Sequence, residues 1–108
     1  MNAHHIERWD VELRPDALFW LDRQYLLELD MGTSSSRKIR KRVAQLTITT
    51  LPIVWVAPTP ARVKTIQKCC EPIANHVYYT TFASAGETWV DHKGVVKACP
   101  KDNERGAN

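Results

Sequence analysis

The segment that decides the fold runs from residue 14 to residue 42 and reads RPDALFWLDRQYLLELDMGTSSSRKIRKR. It contains two short apolar runs, over residues 17–21 and 25–30, separated by a polar turn. Short apolar runs bounded by turn residues are typical of β-strands, so this segment predicts a hairpin whose inner strand is largely buried. The following Gly-Thr-Ser sequence offers N-cap residues for a helix that begins in a basic cluster.

The remainder of the chain predicts one more strand ahead of the hairpin and alternating helices and strands after it. The expected elements are a strand over residues 8–13, a helix over 35–48, a strand over 53–57, a helix over 60–70, a strand over 77–82, and a short strand or loop over 86–90. The first helix would bury Ile39, Val43 and Leu46, which recur at the spacing of one helix face. The order β-β-β-α-β-α-β predicts an α/β fold with a mixed β-sheet flanked by helices.

Length and composition limit the class of protein. The chain has 108 residues, of which 44% are hydrophobic and 25% charged, the balance of one globular domain with a single core. We expect that domain to span residues 1–99 and a polar, disordered tail to span residues 100–108. The longest apolar runs are far shorter than the roughly 20 residues that a transmembrane helix needs. The N-terminus has no apolar signal segment, so a cytoplasmic location is expected.

The spacing of cysteines and histidines argues against a disulfide framework and against a zinc site. Three cysteines are present, two of them adjacent at Cys69 and Cys70, and no C-x-x-C pair exists. None of the four histidines stands at zinc-ligand spacing from a cysteine. Cys69 and Cys70 are therefore expected at a helix end, as small, half-buried residues.

Three carboxylates in the opening segment predict a divalent-metal site. Glu28 and Asp30 lie two residues apart in one predicted strand, so their side chains project from the same face. Asp16, at the start of the neighbouring strand, converges on them if the hairpin forms. Such an oxygen-rich set suits Mg²⁺ or Mn²⁺, which could activate water and neutralise charge on a phosphodiester. The alternatives are a turn role for Asp16, an arginine partner for Glu28 and a strand-ending role for Asp30.

A basic cluster follows these carboxylates on the first predicted helix. The net charge of the chain is only +3, but five positive residues fall within six positions: Arg37, Lys38, Arg40, Lys41 and Arg42. With no acid among them they would repel one another, which favours a polyanionic partner, nucleic acid first, over a merely solvated helix face. Arg62, near the start of the second helix, either contacts phosphate as well or pairs with a neighbouring acid.

The ordered set of these segments resembles the PD-(D/E)XK nuclease superfamily and, more narrowly, the plasmid replication-relaxation family. The matching segments are Arg14-Pro15-Asp16-Ala17, Glu28-Leu29-Asp30-Met31-Gly32-Thr33, Lys41-Arg42, Pro52 to Thr59, and Arg62. The resemblance covers about residues 9–70 and implies a restriction-endonuclease-like fold that acts on DNA. It also implies that Asp16, Glu28 and Asp30 are catalytic metal ligands. Superfamily nucleases place a lysine where this chain has Asp30, so Lys38, Lys41 or Arg42 on the next helix is the expected substitute. Lys41 is preferred as the catalytic lysine, because arginine does not readily act as a base.

The sequence thus predicts a Mg²⁺- or Mn²⁺-dependent endonuclease that hydrolyses phosphodiester bonds in plasmid or mobile-element DNA processing. Two other classes stay open: a catalytically degenerate DNA-binding or scaffold protein of the same fold in plasmid replication, and a protein-interaction module whose basic helix binds an acidic partner. A homodimer is expected because so small a domain gains stability from a partner. The resemblance also implies a separate DNA-binding or replication protein as a partner.

Overall fold

The computed structural model describes residues 13–101, which form a six-stranded sheet with two α-helices. The elements are β1 (Ala17–Trp20), β2 (Gln24–Leu29), α1 (Ser36–Leu46), β3 (Ile53–Ala57), α2 (Pro60–Cys69), a 3₁₀ helix (Glu71–His76), β4 (Val77–Thr81), β5 (Thr88–Asp91) and β6 (Val96–Ala98). The strands lie side by side in chain order. The pairs β2–β3 and β3–β4 are parallel and the other three pairs are antiparallel, so the predicted α/β class with a mixed sheet is confirmed.

The predicted order of the elements is wrong at both ends. Across residues 13–101 the order is β-β-α-β-α-β-β-β and not β-β-β-α-β-α-β. The strand expected over residues 8–13 enters the described range only at Leu13, which is helical and buried; its other residues lie outside that range. At Leu13 the prediction of a strand is wrong, because periodicity separates strand from helix poorly in so short a run. β6 was not predicted because all three of its residues are exposed, so it lacks an apolar pattern.

The hairpin and the turn into α1 agree with the prediction. β1 and β2 are antiparallel neighbours, with Ala17 opposite Leu27. After β2 the chain turns at Gly32, whose φ of +86° is a backbone conformation that other residues rarely adopt. The N-cap of α1 is Ser35, whose hydroxyl accepts a hydrogen bond from the amide of Lys38 at 3.2 Å. This turn places the start of α1 close to the end of β2.

The α-helices pack against one face of the sheet and not against the other. On one face, Leu26, Trp55 and Tyr79 belong to a buried cluster that includes residues of both α-helices. Alternate residues of the same strands project from the other face, where Tyr25 and Val54 belong to a smaller cluster. No helix of residues 13–101 contributes to that second cluster. The sequence predicted helices flanking the sheet, whereas the described α-helices cover one face only.

The helix-covered face holds the core as the sequence predicted. Ile39, Val43 and Leu46 are the buried residues of α1, at the spacing of one helix face. α2 begins with Pro60 at its first position, and the hydroxyl of the preceding Thr59 accepts a hydrogen bond from a backbone amide of the first turn. These local signals therefore place both helices correctly along the chain.

Two further predictions concern the C-terminal tail and the lack of a membrane-spanning helix. The disordered tail predicted for residues 100–108 falls outside the described range from residue 102 onward. Within residues 13–101, no helix combines the length and the apolar character that a membrane crossing requires.

Candidate nucleic-acid interface and its acid–arginine pairs

Glu28 and Asp30 lie at the carboxyl end of β2, on the face that the helices cover. Glu28 stands opposite Trp55 of β3, and the amide of Asp30 donates to the carbonyl of Val56 at 2.8 Å. Both residues are buried, with 7% and 4% of their surface exposed. A buried carboxylate needs partners that replace water, and each of these two has an arginine.

The carboxylate of Glu28 is held by Arg42 of α1. Nε of Arg42 donates to Oε1 of Glu28 at 2.8 Å, and Nη2 donates to Oε2 at 2.7 Å. This two-point geometry is the strongest form of arginine–carboxylate pair. Nη1 of the same guanidinium donates to the carbonyl of Leu13 at 2.7 Å and to Oε1 of Gln45 at 3.1 Å. Arg42 therefore joins α1 both to β2 and to the chain ahead of β1.

The carboxylate of Asp30 is held in the same way by Arg62 of α2. Nε of Arg62 donates to Oδ2 of Asp30 at 2.6 Å, and Nη2 donates to Oδ1 at 3.0 Å. Nη2 also donates to the carbonyl of Ser34, and Oδ2 of Asp30 accepts from the amide of Gly32 at 3.0 Å. Of the two roles expected for Arg62, its side chain takes the pairing with an acid, which fastens α2 to the turn before α1.

Asp16 is a neighbour of Glu28 but has a different environment. It is exposed, its amide donates to the carbonyl of Leu27 at 3.1 Å, and its Oδ2 accepts from the amide of Leu29 at 2.7 Å. These two bonds continue the hairpin for one residue beyond β1. No arginine of residues 13–101 forms an ion pair with Asp16.

Burial and the arginine partner act in opposite directions on the pKa of Glu28. Removal of the carboxyl from water raises its pKa, the charge of Asp16 raises it further, and the hydrogen bonds from Arg42 lower it, leaving the pKa above its usual range. The pKa of Arg42 is raised, mainly by its hydrogen bonds to Glu28. Asp30 has the same effect on the pKa of Arg62. Each carboxylate thus stabilises the charged form of its arginine.

The carboxylates do not fit a divalent-cation site in this arrangement. Both oxygens of Glu28 and both oxygens of Asp30 accept hydrogen bonds from arginine. A cation bound by those oxygens would lie beside two guanidinium charges and would have to displace them. Across residues 13–101, no group of three His, Cys, Asp or Glu side chains is arranged to hold a metal ion. The structure pairs each buried acid with an arginine and does not gather Asp16, Glu28 and Asp30 around one point.

The outward side of α1 carries four exposed cations, which we call the outer cations: Arg37, Lys38, Arg40 and Lys41. No carboxylate of the described residues lies within ion-pair distance of any of them. Lys41, the expected catalytic lysine, is exposed and has no hydrogen bond to the carboxylates of β2 among residues 13–101. The predicted five-residue cluster therefore divides into one arginine bound to Glu28 and four cations that face solvent.

Helix geometry explains this division, and it was a signal that the sequence analysis did not use. Arg42 is three residues after Ile39 and four before Leu46, so it lies beside the buried stripe of α1. Arg62 is four residues before Ile66, which is buried in α2. Both side chains reach the carboxyl end of β2, where they meet Glu28 and Asp30. Spacing from one core residue alone does not decide this, since Arg40 stands three residues before buried Val43 and is exposed.

Comparison of the chain with protein-family models, with curated proteins and with solved structures finds no significant match in any of the three. The resemblance to PD-(D/E)XK nucleases and to the replication-relaxation family therefore stays a prediction. What the site can do has to be argued from its charges and contacts.

Proposed function

We propose that this protein is a DNA-binding domain with a restriction-endonuclease-like fold whose catalytic site is degenerate. The outer cations of α1 would bind the phosphate backbone of DNA, and the two arginine-paired acids would stabilise the fold. The observation that carries the proposal is the division of basic residues, since Arg42 and Arg62 occupy the buried carboxylates while four cations stay in solvent. Plasmid or mobile-element DNA processing is the setting that the family resemblance suggests.

The outer cations are arranged as a concentrated positive surface. Residues 37–41 are consecutive on α1, so their charges fall within about 6 Å along the helix axis. Like charges at this spacing destabilise a free helix, and DNA phosphates remove that repulsion. Duplex DNA presents roughly one negative charge per 1.7 Å of its axis, which supplies several phosphates to such a patch.

The pairing of the acids favours binding over hydrolysis. In metal-dependent phosphodiester hydrolysis, carboxylates hold the cation that activates water. Here Glu28 and Asp30 each hold a guanidinium with two hydrogen bonds, and admitting a cation would leave Arg42 and Arg62 without their partners. A Mg²⁺- or Mn²⁺-dependent deoxyribonuclease using Asp16 is the alternative that a cleavage assay distinguishes.

Supercoiled plasmid incubated with the full chain tests for cleavage. With Mg²⁺ or Mn²⁺ present we expect DNA binding in a gel-shift assay and no nicked or relaxed product, and EDTA should leave that binding unchanged. If EDTA, Asp16→Ala and Glu28→Ala each abolish nicking, the protein is an endonuclease and the proposal of a degenerate catalytic site is wrong. An inactive Asp16→Ala variant that keeps its unfolding transition would assign the loss to chemistry and not to folding.

Fluorescence anisotropy with a labelled DNA duplex tests the binding surface. In the variant Arg37→Gln/Lys38→Gln/Arg40→Gln/Lys41→Gln we expect weaker binding and a flatter dependence of log K on log[salt], by about 0.9 for each phosphate that the protein no longer neutralises. The control is Arg23→Gln/Lys97→Gln, which removes two positive charges away from α1. Lys97 lies over the ring of Tyr78 on the sheet face away from the helices, and Arg23 is in the β1–β2 turn. Equal salt slopes for wild type and the four-residue variant would refute the proposal.

The remaining expected partners stay proposals beside this one. A homodimer would bring two sets of outer cations into one assembly, and a separate DNA-binding or replication protein would add contacts to the same DNA. Sedimentation at high protein concentration tests the first, with a strictly monomeric profile against it. A cytoplasmic location is likewise retained as a proposal.

A further inference from the structure

α2 carries two lysines on its exposed side that the proposed function has not used. Lys64 and Lys68 are four residues apart, so they project from the same side of the helix, about one turn from each other. Both are exposed, whereas Ile66 and Cys69 of the same helix are buried. No carboxylate among residues 13–101 forms an ion pair with either lysine.

These two lysines line a concavity of about 410 Å³ together with Gln67, Glu71 and His92. Its other side chains hold one another: Nε2 of Gln67 donates to the carbonyl of His92 at 2.7 Å. In the ring of His92, Nδ1 lies 2.8 Å from the hydroxyl of Tyr79 and Nε2 lies 3.1 Å from Oε1 of Glu71. The acid of this concavity is thus directed to the histidine, and the two ammonium groups face solvent.

α2 packs beside the start of α1 through its buried side. Sγ of Cys69 lies 3.9 Å from the carbonyl oxygen of Ser36, the first residue of α1. Lys68 precedes that contact on α2, and Arg37 follows it on α1. Both helices cover the same face of the sheet, so the exposed sides of both, which carry these cations, face away from it.

We propose that the DNA-binding surface extends from α1 onto α2, with Lys64 and Lys68 binding backbone phosphates of the same DNA molecule. This role rests on the proposed function, because the partner is the same polyanion. Two adjacent helices that carry six exposed cations neutralise more phosphates than α1 alone. Each additional phosphate neutralised steepens the salt dependence by about 0.9 for a duplex and about 0.7 for a single strand.

The full-length variant Lys64→Gln/Lys68→Gln tests this extension against the Arg23→Gln/Lys97→Gln control. Anisotropy titrations with a labelled duplex at several salt concentrations should show a slope reduced by about 0.9 per lysine and a weaker affinity. The control removes the same number of charges, one from the sheet face away from the helices and one from the β1–β2 turn. Its salt slope should therefore stay near that of wild type. The unfolding transition should not change, since both lysines are exposed.

Chemical modification of lysines provides a second readout. Lys64 and Lys68 should react more slowly with an amine reagent when the duplex is bound, while Lys97 should react at an unchanged rate. If the Lys64→Gln/Lys68→Gln variant keeps the wild-type slope while the four-residue α1 variant has a reduced slope, the extension is wrong and the proposed function stands. If wild type itself shows no salt-dependent DNA binding, both are wrong.

Discussion

Arg40 and Arg42 are two residues apart on α1, carry the same side chain and have opposite environments. Arg42 makes four hydrogen bonds and pairs with buried Glu28, with 21% of its side chain exposed. Arg40 is exposed and has no acid partner among residues 13–101. The difference comes from helix phase, because two residues turn the helix by more than half of one revolution. Phase therefore divides one basic run into an inner anchor and an outer binding surface.

The energetics of the two positions differ as well. A buried acid whose partner is removed keeps its desolvation penalty and loses the attraction that offset it. Removing an exposed cation changes stability little, because water already screens its charge. The stability of the fold should therefore depend on Arg42, and the affinity for DNA should depend on Arg40. Substitutions at these two positions test that division directly.

The largest expected effect on stability is that of Arg42→Met. We expect the free energy of unfolding to fall by about 3 kcal/mol, the low end of the range for breaking a buried pair, because Arg42 is partly exposed. Arg40→Met, the matched substitution on the outer side, should change it by less than about 0.5 kcal/mol. Urea denaturation followed by circular dichroism measures both values.

The double variant Glu28→Gln/Arg42→Met controls for the missing packing of the arginine. It removes the buried charge together with its partner, so it should recover a large part of the stability that Arg42→Met loses. Equal losses for Arg40→Met and Arg42→Met would mean that the pair contributes nothing and that the two sides of α1 are equivalent.

A smaller effect should appear in the pH dependence of the inner pair. The pKa of Glu28 in the folded protein is raised above its ordinary value of 4.5, mainly by burial. Between the ordinary pKa of the unfolded chain and the raised pKa of the folded protein, the folded protein holds the proton more tightly than the unfolded chain does. Raising the pH through that window therefore lowers the free energy of unfolding. The stability of wild type relative to Glu28→Gln should fall as the pH rises from about 4.5 to the raised pKa.

Urea unfolding of wild type and Glu28→Gln at a series of pH values measures this difference. Arg40→Met serves as the outer-side control and should run parallel to wild type, because Arg40 has no titrating partner in the described residues. A relative stability of wild type that increases with pH would show that Arg42 lowers the pKa of Glu28 more than burial raises it. The sign of the pH effect thus separates the two influences.

The elements that sequence analysis placed well are those that short-range rules specify. Thr59 and Pro60 mark the start of α2, and the prolines around residues 53–57 bound β3. The elements that it misplaced lack such signals. Leu13 alternates with its neighbours as a strand residue would but is helical, and β6 has no buried residue to produce a pattern.

The candidate site was predictable in its residue types but not in its contacts. Asp16, Glu28, Asp30 and the basic run were all identified as the charged groups of interest, and the hairpin that brings Asp16 beside Glu28 was expected. The grouping of the acids around a metal was an inference from their spacing in the hairpin, their chemistry and the family resemblance. The arginines that bind Glu28 and Asp30 come from two different helices, and periodicity along one element does not reveal which acid each would reach.

The sequence by itself determined the strands of the hairpin, the caps of both helices and the concentration of positive charge on α1, because each depends on residues within about one turn or one strand of each other. Only the tertiary structure decided which charges are inside. Arg42 meets Glu28 across 14 residues, and Arg62 meets Asp30 across 32. These meetings depend on how helices pack on a sheet, a geometry set by the whole core.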